Sequence, residues 1–490
     1  MKFQKLFLAS AISSLMLAGC NDDNDSSPKP VTPPDDCGVD TENRILEGDI
    51  SCNVTLDSTA PWTLKGIVNV GNGGAELATQ ADVEAIDKVT LTIDPGTEIN
   101  ADADGTLIVN RGSKLIAAGT RTAPITFSSE DEGYDGTGEW GGVIIQGFAP
   151  HYAPGTNALC SANGAICNVQ GEGGDAVAYF GGEDAADNSG KLSFVRIAEA
   201  GKIAGPDNEI NGLTLQGVGH GTELSYIQVH GNLDDGIEWF GGTADLKYAV
   251  LTNNDDDDLD FDEGYQGHIQ HVLIIKDQDK TYPTGKNDPR GIEANSSDDE
   301  SVEATKAVLS NISIIGSNLV YTTPDLEDDL SQQPGMRLRG DLTVSINNSL
   351  VSYYHDCIRV DNGQNELTDV TLKNVLVGGC EDKTLSLKAN GIDNDGKDNV
   401  AELNAASEQP IGAVDNNAII FNDKVAATEE NAQLDAAFAP QPLEGRDFTF
   451  DATDYIGAVN PEADEAFWEG WTIEGSVELL EQPEKQASAQ

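Results

Sequence analysis

Residues 234–275 read DDGIEWFGGTADLKYAVLTNNDDDDLDFDEGYQGHIQHVLII, and the stretch says the same thing twice. An acidic turn leads into Ile237-Glu-Trp, a Gly turn follows, and LKYAVLTNN runs on from Leu246. A second acidic turn leads into Leu259-Asp-Phe, another Gly turn follows, and IQHVLIIKD runs on from Ile269. Outward from this stretch the short strand recurs as Leu213-Thr-Leu, Ile292-Glu-Ala, Met336-Arg-Leu, Ile358-Arg-Val and Leu385-Ser-Leu. The longer one recurs as LSYIQVHGN from Leu224, LSNISIIGSN from Leu309, LTVSINNSLV from Leu342 and LTDVTLKNVLV from Leu367. Where no loop is inserted, each rung advances by 22 to 27 residues. A fixed period of this size, built of short strands and Gly or Asn turns, predicts a β-solenoid. The same position of successive rungs then stacks at about 4.8 Å.

Upstream, WTLKGIVNV, VTLTIDPGTEI, GTLIVNRGSKLIAAGT, PITFSS and EWGGVIIQG between Trp62 and Phe148 alternate apolar and polar residues, as earlier and shorter coils would. Residues 149–190 read as a long loop, and 276–291 and 322–335 as two more insertions. Solenoid insertions tend to gather on one face. AATEENAQLDAAF, ending at Phe438, has a short helical pattern. The final segment, DYIGAVNPEADEAFWEGWTI, is expected to cap the stack, with Trp468 and Trp471 covering its end.

The first twenty residues, MKFQKLFLASAISSLMLAGC, have a basic start, an apolar stretch too short to span a bilayer, and Leu17-Ala18-Gly19-Cys20. They resemble a bacterial lipoprotein signal. That resemblance implies cleavage after residue 19 and acylation of Cys20, palmitate included, which anchors the chain to a membrane. Asn21 favours the outer membrane, on its periplasmic face or at the cell surface. Residues 20–36 are then a lipidated, acidic, Pro/Ser-rich tether, 37–480 the β-helix domain, and 481–490 a polar tail.

The formal net charge is −56, and loss of Lys2 and Lys5 with the signal takes it to −58. Such a chain repels nucleic acid, and it repels anionic polysaccharide unless cations intervene. Six cysteines remain beside Cys20, in three close couples: Cys37 and Cys52, Cys160 and Cys167, Cys357 and Cys380. Three local disulfides are expected of an exported protein. No Cys/His spacing for zinc occurs.

Period two turns Ile237 and Trp239, or Leu259 and Phe261, inward and the residue between them outward. The outward column reads Thr214, Glu238, Asp260, Glu293, Arg337, Arg359 and Ser386. Stacked carboxylates raise one another's pKa unless a cation compensates. The turn before this strand adds Asp234 and Asp235, aligned with Asp256 and Asp257 and flanked by Asp255 and Asp258. Clustered oxygens without a competing base suit calcium. Asp234, Asp235, Asp256, Asp257, Asp258, Glu238 and Asp260 are the candidate ligands. The competing reading is a solvated acidic turn.

GEWGGVIIQGFAP at 138–150, DDGIEWFGGTADLKYAV at 234–250, DDDDLDFDEGYQGHIQHVLI at 255–274 and YIGAVNPEADEAFWEGWT at 455–472 resemble a family of exported bacterial lipoproteins. The match spans roughly residues 60–475. It implies a right-handed parallel β-helix of the pectin-lyase-like type, no established reaction, and company with outer-membrane TonB-dependent receptors.

The leading expectation is a non-catalytic lipoprotein that uses calcium to bind a glycan or an outer-membrane receptor. One rival is a polysaccharide lyase or glycoside hydrolase acting through Glu238, Asp260, Glu293, Arg337 and Arg359. Against it, an arginine beside carboxylates stays protonated and is a poor base. Another rival is a receptor accessory or adhesin that works through the inserted loops. Gly219-His220-Gly221 precedes the acidic turns, unlike the order in polygalacturonase-like hydrolases. His268 and His271 are candidate ligand contacts. His271 aligns with Tyr226 and Tyr248, and a stacked aromatic column in the core is the favoured reading of that alignment.

Overall fold

A computed structural model describes residues 37–131, 133–152, 160, 166–171, 178–205, 208–276, 289–296, 304–317, 333–361, 369–389, 392–393, 419–428 and 432–478. The signal, the tether, the polar tail and most of the 276–291 and 322–335 insertions lie outside the described residues. Among those described, no helix is long and apolar enough to cross a membrane.

The short strands stack in parallel, in the register that the repeat predicts. Val143–Gln146 pairs with Leu213–Gln216, then Ile237–Phe240, Leu259–Asp262, Ile292–Ala294, Pro334–Arg339, Asp356–Asp361 and Lys383–Ala389. The earlier coils continue the same stack through Thr106–Val109 and Trp62–Val70. The fold is a right-handed parallel β-helix. Ile237, Trp239, Leu259, Phe261, Ile292 and Ala294 point inward and are fully buried. Tyr265 fills the space beside Trp239 and Phe261, at ring separations of 5.4 and 5.5 Å, and its hydroxyl donates to the Ala244 carbonyl at 2.9 Å.

The longer strand of each rung is bent in the middle. Gly190–Ala198 and Glu223–His230 pair on both sides of Phe194 and Tyr226, but not at those residues. The skip recurs at Tyr248, His271, Asn311, Asn348 and Asn374. All seven residues have φ between 45° and 63°. One left-handed residue per rung turns the chain and splits the strand in two, so the helix has three faces, the short strands forming the first. Asn tolerates this conformation, whereas an aromatic residue there is strained.

The expected aromatic column exists, but outside the barrel core. Phe194, Tyr226, Tyr248 and His271 stack at 4.3, 4.6 and 4.9 Å, with planes within 9°. The left-handed bend sends these side chains outward, where Phe194 and Tyr226 join Val250, Leu273, Ile315 and Leu350 in a separate apolar cluster. The C-terminal segment covers that stripe, which corrects the expectation that it caps the end of the stack. Gly457 N–H donates to Asn348 O at 2.7 Å, Trp471 packs edge-on against Phe194 and Tyr226, and Arg121 bonds the carbonyl of Glu469. The segment thus runs back along the flank, and Trp468 and Trp471 seal the side. An apolar stripe several rungs long exposes more surface than one coil end, so covering it yields more.

The helical pattern ending at Phe438 is overturned. Gln433–Phe438 is a strand, paired antiparallel with Thr453–Tyr455. Pairing within this C-terminal strap overrides local propensity. The α-helix among the described residues is Gln80–Glu84, closed by a Thr79/Asp82 capping box. All three expected disulfides form.

Candidate acidic site on the first face

The outward column stands as the repeat predicts, with Thr214, Glu238, Asp260, Glu293, Arg337, Arg359 and Ser386 in consecutive register. The turn makes a second column. Ile237 N–H donates to Asp258 O and Leu259 N–H to Gly291 O, which places Asp235, Asp257 and Arg290 one above another. The Asp257 N–H donates to Asp235 Oδ1 at 2.9 Å, and the Arg290 N–H to Asp257 Oδ1 at 3.2 Å.

Three overlapping carboxylate groups result. They are Asp234 with Asp235 and Asp256, Asp235 with Glu238 and Asp260, and Asp257 with Asp260 and Glu293. In each, ligand oxygens lie within 4.8 Å of one another. Oxygens that share one calcium at its usual bond length are no more than about 5 Å apart. Asp258 stands apart. It is buried behind the turn, paired with Lys276 at 2.8 Å and accepting from Asn254 at 2.8 Å.

The column is polarised along the axis. Glu293 is gripped by Arg290 and Arg339, with Arg337 at 3.7 Å. Burial alone would raise its carboxyl, but Arg290, Arg339 and Arg337 hold it at about 2. Arg337 also reaches Asp361 at 3.2 Å, and Arg359 reaches Asp356 at 3.2 Å. The acidic end is different. Burial pushes Asp260 well above the usual carboxylate range, and Glu293, Asp262 and Asp257 push further. Its Oδ1 is enclosed, with no hydrogen-bond partner among the described residues. Burial likewise raises Asp235, with Asp234, Asp260 and Glu238 adding to it. Asp257 is raised by burial against the opposing pull of Arg290. Glu238 accepts a hydrogen bond from Asn211 Nδ2. Like charges packed this closely must take up protons or a cation. An enclosed oxygen with no donor, among further oxygens within calcium's reach, fits the cation.

Sequence reasoning missed Arg290, Arg339 and Asn211. Arg290 was findable, because it precedes Ile292 by two residues as Asp257 precedes Leu259. His268 and His271 are not near this site. His268 accepts from Leu443 N–H at 2.9 Å, contacts Asp245 at 2.8 Å and stacks on Phe448. His271 lies 3.2 Å from Ala458 O. Both fasten the C-terminal segment. The backbone of His220 is tied to Ala185 O and Thr243 Oγ1, at a different corner of the rung.

The family described as pectate-lyase like beta helix domain matches residues 48–419. The chain belongs to that pectate-lyase-like β-helix family. No curated protein and no solved structure gives a significant match. Membership agrees with the three-faced coil, and the acidic column occupies one face of this pectate-lyase-like helix.

Proposed function

We propose that this protein is a lipid-anchored outer-membrane lipoprotein that binds calcium at the acidic end of the column and, through it, an anionic glycan. The observation that supports the reading is the division of the column into two halves. Asp235 and Asp260 have no ion pair among the described residues. One rung on, Arg290, Arg337 and Arg339 converge on Glu293. A calcium held by Asp235, Glu238 and Asp260 would present positive charge beside Arg337 and Arg339, whose side chains are 21 % and 39 % exposed. Carboxylate-bearing sugars bind such surfaces by bridging the metal and pairing with guanidinium groups.

Arginines beside the acids also favour a second reading, polysaccharide cleavage. Arg337 and Arg359 are each ion-paired, however, and a guanidinium is a poor base. The purified protein is incubated with uronate-containing glycans, with and without calcium, while binding and product release are followed together. The proposal expects calcium-dependent retention without shortened product. Turnover that Arg337→Ala or Arg359→Ala abolishes would establish the enzyme instead, and retention indifferent to chelator would remove calcium.

A further inference from the structure

A chemically different cluster sits in the turn that opens the strand Asp356–Asp361. Asp356 aligns with Pro334 and Lys383 in the register of the first face. It stands three rungs beyond Asp257, about 14 Å along the axis at one strand spacing per rung. Arg290, Arg337 and Arg339 lie on the two rungs between. Here His355, Asp356 and Asp382 bring ligand atoms within 4.8 Å of one another.

The geometry is set by the chain itself. His355 and Asp356 belong to one turn and Asp382 to the next. The disulfide Cys357–Cys380 joins those turns, one residue past Asp356 and two before Asp382. The N–H groups of Asp382 and Glu381 donate to His355 O and Tyr354 O at 2.8 and 2.9 Å. A covalent bridge and two backbone bonds therefore hold the three side chains together in advance.

Each carboxylate has one oxygen held by an outer partner. Asp356 is 2 % exposed. Its Oδ2 accepts from Ser386 Oγ at 2.6 Å and from Arg359 Nη2 at 3.2 Å. Its Oδ1 is enclosed and receives no hydrogen bond among the described residues, although His355 Nδ1 stands 3.2 Å away. Lys383 Nζ donates to Asp382 Oδ2 at 2.7 Å. Outer partners of this kind orient the ligands of metal sites. The His355 and Asp382 side chains are 21 % and 48 % exposed, so ions from solvent reach them.

The donor set names the class of metal. Calcium takes oxygens alone, whereas one imidazole with two carboxylates suits zinc and its neighbours among the first-row divalent ions. Arg359 and Lys383 already offset the two carboxylates, which disfavours an ion held by charge alone and favours one that gains from the nitrogen. We propose that His355, Asp356 and Asp382 form a zinc-class site, separate from the acidic cluster and independent of its calcium. Three protein ligands leave a position for water or an external group.

The test uses the full metal-stripped chain. Zinc is added by calorimetry, and cobalt(II) is followed by its visible absorption. The expected result is one saturable zinc per chain and a cobalt spectrum of bound imidazole. Both are lost in His355→Ala, zinc affinity falls at least tenfold in Asp382→Asn, and Asp260→Asn leaves both unchanged. His355 is partly exposed and outside the core, so circular dichroism should show the His355→Ala fold intact. No zinc uptake by the parent chain, or uptake and spectrum unchanged by His355→Ala, would overturn the proposal.

Discussion

Replacing Asp260 with Asn should make the metal-free protein more stable, although it removes a charge from a folded structure. Asp260 lies one strand spacing from Glu238 and one from Glu293 in the same outward column. Two unit charges about 4.8 Å apart at an effective dielectric constant of 20 repel by about 3 kcal/mol. The Glu293 side of that repulsion is offset by Arg290, Arg337 and Arg339, while on the other side no ion pair to Asp260 is found among the described residues. Partial protonation of Asp260 lowers the gain further, so relief of about 1–3 kcal/mol is expected above the usual carboxylate range. The sign follows from linkage. A carboxyl raised on folding costs stability as pH climbs through its folded value, and that cost vanishes below the unfolded one. The parent chain without divalent ions should therefore weaken as pH rises, and Asp260→Asn should weaken less. Calcium at a hundredfold excess over Kd should return about 2.7 kcal/mol to the parent and little to the variant. Urea titrations with chelator or calcium, monitored by hydrogen exchange in the strands Ile237–Phe240 and Leu259–Asp262, read all four states. A metal-free Asp260→Asn less stable than its parent at neutral pH would overturn this expectation, because the carboxylate would then be making contacts worth more than the repulsion.

Glu293→Gln should act in the opposite direction. The shift from the ordinary 4.5 to about 2 corresponds to about 3 kcal/mol, present above pH 4.5 and lost as pH falls through 2, so parent and variant should converge in acid unfolding. Opening Cys357–Cys380 by a double Ser substitution releases a loop of 23 residues and should cost about 3 kcal/mol by chain entropy, checked by the urea midpoint of the C-terminal rungs. Trp471→Ala removes a 1 % exposed side chain from the strap and should cost about 3–5 kcal/mol locally. Limited proteolysis should then cut within residues 443–478 while the rungs stay intact.

The rungs were legible because a β-solenoid writes its register into the sequence. Once Ile237, Leu259, Ile292, Met336, Ile358 and Leu385 are aligned, every outward residue between them is placed. The bend in the longer strand was harder to see. Asn311, Asn348 and Asn374 are residues that accept a left-handed backbone, but Phe194, Tyr226 and Tyr248 give no such sign. The bend was missed there, and with it the fact that the aromatic column faces outward. The course of the C-terminal segment follows from that stripe and so depended on contacts far apart in sequence, such as Gln228 with Ser476. At the site, the column was read correctly as a row of charges. The convergence of Arg290, Arg337 and Arg339 on Glu293 was not, because Arg290 and Arg339 enter from the turn and from the next outward position.

Calcium binding at the column is tested by calorimetry on the purified protein beside the triple variant Glu238→Gln, Asp257→Asn and Asp260→Asn. Saturable heat is expected from the parent, silence from the variant, and an unchanged circular dichroism spectrum. No heat from the parent, or equal heat from both, would mean that these carboxylates answer their crowding with protons alone and that the acidic face is no calcium site.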